Sequence, residues 1–146
     1  MIDRSHIGKA LPQSVLRVEA GRLQFFAKAI GETNPIYLDE AAAQAAGYSS
    51  LPAPPTFIFA AAQDAGTMAR GLVDMGVDTR RVLHAEQGFT YHGMVLAGDM
   101  ITVTTRVFDI YDKRDGALEF IVLDSAAANQ KGAMVAEMRA VVVVRH

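Results

Sequence analysis

The 146-residue chain has no cysteine, which excludes disulfides and thiolate chemistry and leaves the redox compartment undetermined. It also lacks an excess of either charge. Fourteen Lys and Arg stand against sixteen Asp and Glu, a net charge of −2, so there is no electrostatic footprint for nucleic acid. No apolar run reaches the roughly 20 residues that span a bilayer, and the opening MIDRSHIGKALPQ has no apolar core of a secretion signal. No glycine-rich phosphate loop is present, and the four histidines have no metal-ligand spacing. Together these absences predict a cytoplasmic protein with no nucleic-acid, membrane or metal partner. About half the residues, 51%, are apolar. That composition and length suit one domain over residues 1–146, burying roughly 70% of its unfolded surface.

The chain reads as a helical first half and a strand-rich second half. A short strand is predicted at Leu11–Val18. Leu23, Phe26, Ala27 and Ile30 then recur at i, i+3, i+4 and i+7, one apolar helical stripe that Gly31 can stop. The segment ETNPIYLD is a loop, because the residue before proline avoids helix. Asp39 is placed to cap a short alanine-rich helix, Glu40–Ala46, closed by Gly47. After the cluster LPAPPT, Pro55 suits the first turn of a helix. That helix, FIFAAAQDAGTMARGL, is rich in Ala and Gly and apolar around most of its circumference, which predicts burial. Asp64 lies within it and needs a partner or a wet cleft.

Four strands follow, at Val82–His92, Met100–Tyr111, Leu118–Ala128 and Met134–Arg145. Gly98-Asp99, Arg114-Asp115-Gly116 and Lys131-Gly132 mark the turns between them. In the last strand Met134, Ala136, Met138, Ala140, Val142 and Val144 share one face. Glu137, Arg139, Val141 and Val143 share the other, where the two valines form a possible interface patch. Long antiparallel strands with a buried helix require the sheet to curl around that helix, an α+β arrangement.

Residues 29–48 read AIGETNPIYLDEAAAQAAGY, and a later segment reads LHAEQGFTYH with an AGD nearby. The first resembles the hydratase-2 motif of the MaoC family, S/T-G-D-x-N-P-[IL]-H-x-D followed by an alanine-rich helix and Gly-Phe. The second resembles the FAS1-like dehydratase branch, an N-terminal-type MaoC domain. The resemblance covers nearly the whole chain and implies a hot-dog fold, an antiparallel sheet wrapped around a central Ala-rich helix. It further implies reversible addition of water across a 2-enoyl thioester of CoA or acyl carrier protein, with no other cofactor. In the family the loop aspartate and histidine handle water and proton, and the N-terminus of the central helix polarises the carbonyl. Hydration requires such a base, a proton for the α-carbon and donors where enolate charge develops.

This chain departs from the motif at three places. Glu32 replaces the aspartate, Tyr37 replaces the histidine, and Pro54-Pro55 stand where the family has His-Gly. Glutamate moves the carboxylate by about an ångström, a displacement that can cost roughly 100-fold. Tyrosine exchanges a reference pKa of about 6.5 for one near 10, and proline has no N–H to donate. Glu32, Tyr37 and His84 are therefore the candidate catalytic residues. Asn34, Pro35, Pro55, Thr56 and Phe57 are the candidate substrate-binding residues, the N–H groups of Thr56 and Phe57 taking over the carbonyl. His84 and Glu86, two apart, are expected on one strand face opposite Leu83, Phe89 and Tyr91, unless Gly88 bulges the strand and merges the sets. Arg80, Arg81, Lys113, Arg114 and Lys131 are the cations available to CoA phosphates.

Three readings follow. The first is an (R)-specific enoyl-thioester hydratase or 3-hydroxyacyl-thioester dehydratase subunit that holds substrate while a second hot-dog chain carries the intact acid–base pair. The second is a self-sufficient homodimeric hydratase using Glu32 with Tyr37 or His84. The third is a non-catalytic acyl-thioester-binding protein.

Overall fold

A computed structural model describes residues 1–146. A five-stranded antiparallel sheet has the order β1-β3-β4-β5-β2, with β1 at Ser14–Arg17, β2 at Val82–Tyr91, β3 at Met100–Lys113, β4 at Leu118–Ala128 and β5 at Met134–Arg145. The sheet curls around a helical layer, the hot-dog arrangement. The bounds of β4 and β5 coincide with the expected ones. Arg114, Asp115 and Gly116 all take positive φ in the β3–β4 turn, the tight geometry that short polar residues and glycine favour. The first strand is shorter than Leu11–Val18, because the residues before Ser14 make only an isolated bridge, Ala10 with Arg106.

Helix α1, Ala20–Ala29, buries Leu23 and Ala27 and half-buries Phe26, which meets Phe57 edge to face at 5.4 Å. Ile30 falls beyond the helix and is 52% exposed, so the expected stripe ends one turn early. Helix α2, Glu40–Ala45, carries the expected cap: the Asp39 carboxylate accepts the Ala42 N–H at 2.8 Å.

The central helix is not one helix. It divides into α3, Ile58–Gln63, and α4, Thr67–Asp74. Gly66 takes φ +63° between them, a conformation that costs a side-chain-bearing residue about 1–2 kcal/mol. The break turns Asp64 to the surface, where Arg22 of α1 donates to it at 2.6 Å. Asp64 therefore has its partner, but it is not buried between apolar neighbours as the uninterrupted helix predicted. The core divides with the helix. Seventeen buried residues cluster around α1 and α3, and ten around α4 and the far ends of β3, β4 and β5.

Three register shifts set which side chains face that core, and the one in β3, between Val107 and Asp109, sends Asp109 to the outer face. Antiparallel partners lie on the same face, and the core-facing Ala140 and Val142 of β5 pair with Gln87 and His84. The register shifts between His84 and Glu86, so the bulge is at Ala85 and not at Gly88. His84, Phe89 and Tyr91 consequently share the inner face, and Glu86, paired with Val141, goes to the outer one. The expected sharing of one face by His84 and Glu86 is thus incorrect. The third shift, between Ala127 and Ala128, pairs Met134 with Ala128 and leaves Met134 46% exposed. It does not join the face of Ala136. Glu119 is the only buried charged residue. Its carboxylate accepts the Ile2 N–H at 2.7 Å and bonds the His146 imidazole.

Candidate active site

Between α1 and α2 the chain satisfies its own backbone. Gly31, at φ +74°, ends α1. The Glu32 carboxylate accepts the N–H groups of Thr33 and Asn34, both at 2.8 Å. Asn34 in turn accepts that of Ile36 at 3.2 Å, and Pro35 begins the short 3-10 turn Pro35–Tyr37. This series of caps holds the loop shape, with Glu32 folded back on its own loop.

The turn delivers Tyr37 into a cavity of about 260 Å³ at the entrance of the central helix, beside Pro54, Pro55, Ile58, Tyr91 and Met94. Glu32 does not line it. The lining holds two phenols but no carboxylate and no imidazole. Burial, with lesser effects from Tyr48 and the Glu32 carboxylate, pushes the Tyr37 phenol above its ordinary value, and burial does the same to Tyr91. At neutral pH both phenols are hydrogen-bond donors rather than bases. The helix entrance contributes little. Pro54 and Pro55 have no N–H, and the Phe57 N–H already donates to the Pro54 carbonyl at 2.9 Å. The Thr56 N–H, on an exposed residue, has no acceptor in the chain. Phe57 itself is 1% exposed and anchors the core.

His84 lies elsewhere, in a cleft of about 400 Å³ between the edge strand β2 and α3–α4. Its ring stacks parallel on Phe59 at 5.2 Å between centroids. Phe59, Met68, Leu72, Val82 and Val142 supply the apolar walls, and Gln63 and Thr79 supply polar atoms. The volume and character fit a small apolar ligand group. Glu32, Tyr37 and His84 are therefore not brought to one point. The sequence reading missed Tyr91 in the first cavity, and Phe59, Gln63, Met68 and Leu72 in the cleft. Their spacing was a usable signal, because 59 and 63, and 68 and 72, are i, i+4 pairs on single helical faces.

The largest concavity, about 660 Å³, is on the outer sheet face, with Gly88, Thr90, Thr104 and Ala126 among its lining. Its charged wall is internally paired: Asp124 takes two bonds from Arg139, at 2.6 and 2.8 Å, and Arg106 lies 3.7 Å away. It is open and polar, and its other carboxylate, Glu137, is paired with the His92 imidazole at 2.8 Å. Of the cations named for CoA phosphates, Arg80 and Arg81 are tied to Asp78, and Lys113 sits over the Phe120 ring at 5.1 Å. No helix is long and apolar enough to cross a membrane.

The family model described as the FAS1-like, dehydratase domain region matches residues 5–138. The UPF0336 protein of Thermobifida fusca is 34% identical over 148 aligned residues, covering 99% of this chain and 94% of that one. Among solved structures, the C-terminally truncated HadBC (3R-hydroxyacyl-ACP dehydratase) complex from Mycobacterium tuberculosis superposes with a TM-score of 0.80 at 24% identity, over 94% of this chain and 96% of that one. A MaoC-like dehydratase superposes with a TM-score of 0.83 at 25% identity. It covers 97% of this chain, which spans only 42% of that longer protein.

Proposed function

This chain belongs to the FAS1-like dehydratase family, and from that membership we propose that it is the substrate-holding half of an (R)-specific enoyl-thioester hydratase or 3-hydroxyacyl-thioester dehydratase. The general base and acid come from a second hot-dog chain carrying the intact aspartate–histidine loop. The observation that carries this reading is the lining of the cavity at the helix entrance. Two phenols held protonated by burial are available there as hydrogen-bond donors, and the lining has no carboxylate or imidazole to accept a proton from water at neutral pH. The carboxylate that the motif would supply, Glu32, is turned to the backbone of its own loop.

The division of labour is consistent with what surrounds the site. The cleft beside His84 takes the acyl chain, since its walls are mostly apolar and include the stacked Phe59 and His84 rings. Burying methylenes there stabilises the bound thioester by about 0.8 kcal/mol for each one removed from water. The similarity to a dehydratase solved as a two-component complex, and to a longer MaoC-like dehydratase with room for a second such unit, supports pairing with another hot-dog chain. The thioester carrier is CoA or acyl carrier protein.

The test is hydration of a short 2-enoyl-CoA by the purified chain alone, by a hot-dog partner carrying the complete motif, and by both together. Turnover is expected only where the partner is present, and Glu32→Gln in this chain should leave kcat of the mixture within about threefold. Turnover by this chain alone that disappears in Glu32→Gln would sink the proposal in favour of a self-sufficient site.

A further inference from the structure

The outer face of the sheet has no helix over it, yet part of it is apolar. The strand register arranges this face in rows. One row runs Tyr111, Phe120, Val143, Leu83 across β3, β4, β5 and β2, and the next runs Asp109, Val122, Val141, Glu86. Val122, Val141 and Val143 are 8%, 7% and 9% exposed although they belong to neither core cluster. In the register Phe120 stands beside Val143 and Tyr111 beside Phe120, and the two rings stack at 4.9 Å. Leu83 remains 47% exposed.

Charges of opposite sign with no ion-pair partner flank this stripe, Lys113 among them lying over the Tyr111 and Phe120 rings. Asp109 and Glu86 end the row on one side. Lys113 and Arg145 end the row on the other, joined through Leu118. None of the four forms an ion pair within the chain, whereas the charges of the row beyond Asp109 and Glu86 (Arg106, Asp124 and Arg139) bridge one another.

We infer that this stripe is a contact between two copies of the chain, packed outer face to outer face about a two-fold axis lying along the Tyr111–Leu83 row. That operation maps the apolar row onto itself and exchanges the rows beside it. Asp109 of one copy then faces Lys113 of the other on the same strand. Glu86 comes opposite the end of β5 that carries Arg145, one strand over and within reach of a long side chain. Each pairing forms twice. The acidic and basic ends lie on opposite sides of one apolar row, so the pattern is complementary to itself, which selects a second copy as the occupant. Four strands about 4.8 Å apart and three rows about 7 Å apart give a flat area on the order of 400 Å² per copy. That is about half of what a stable dimer buries, so the association is weak, reversible and sensitive to salt.

The experiment is sedimentation equilibrium of the full chain from micromolar to near-millimolar concentration, at low and high salt. A reversible dimer that weakens with salt is expected. Lys113→Asp and Arg145→Glu should each raise its dissociation constant about tenfold. An equimolar mixture of Lys113→Asp with Asp109→Lys should recover the wild-type constant, because the reversed charges then oppose one another across the axis. Circular dichroism confirms that each variant is folded, which matters for Asp109, whose carboxylate also accepts the Ile110 N–H at 2.8 Å. A wild-type chain that stays monomeric throughout overturns the inference. So does a dimer indifferent to Lys113→Asp and Arg145→Glu, which would place the contact elsewhere, or a mixture that fails to recover.

Discussion

Asp124 shows how much one outer-face residue contributes. The two bonds from Arg139 outweigh burial and hold its carboxyl below the ordinary 3.8. The value in the folded chain lies below that in the unfolded chain. The stabilisation is therefore complete above the ordinary value and fades as pH falls through the lowered one. An Asp124→Asn chain is expected to be less stable at neutral pH and to lose less on acidification below about pH 4 than the wild type. Urea titrations at several pH values measure both arms, and two curves that stay parallel down to the acid limb would refute it. Residue identity alone made some of the site legible. The exchange of histidine for Tyr37 pointed to a poor base, and its raised pKa has that direction. What Glu32 does was not legible, because the bonds that turn its carboxylate back depend on the φ and ψ angles of Thr33 and Asn34 rather than on their identities.

At the scale of elements, the break between α3 and α4 shapes the cleft beside His84, because Phe59 and Gln63 reach it from one piece and Met68 and Leu72 from the other. Met68→Trp is expected to fill the cleft and raise KM for long-chain enoyl thioesters about tenfold or more in the reconstituted pair, while leaving the shortest substrates nearly unchanged. A chain-length series of KM values checks this; equal effects on all lengths would show that the acyl group goes elsewhere. Elements were read well where the sequence punctuates them. Arg114-Asp115-Gly116 and Lys131-Gly132 delimit β4 and β5 to the residue. The helix break was hidden, because Gly66 in an alanine-rich run resembles the small residues of a tightly packed helix. The bulge at Ala85 was equally silent, since no glycine marks it. One extra residue in a strand of period two moved Glu86 to the far side from His84.

In the whole molecule the order of strands in the sheet departs from their order in the chain. β3 pairs with β1 and β4, whereas β2 has β5 as its only partner. In refolding experiments with pulsed hydrogen exchange, the amides of β2 are expected to become protected together with those of β5, and no earlier than those of β3 and β4. Early protection of β2 alone would contradict this. The same connectivity matters during synthesis, where residues emerge from the ribosome in order. β2 leaves the exit tunnel with its hydrogen-bonding edges unmatched, and it must wait while β3 and β4 emerge before β5 can take the place beside it. Through that interval the nascent chain presents an unpaired ten-residue strand to every neighbour on the polysome. This protein's exposure to misassembly is therefore set by the time needed to translate its second half.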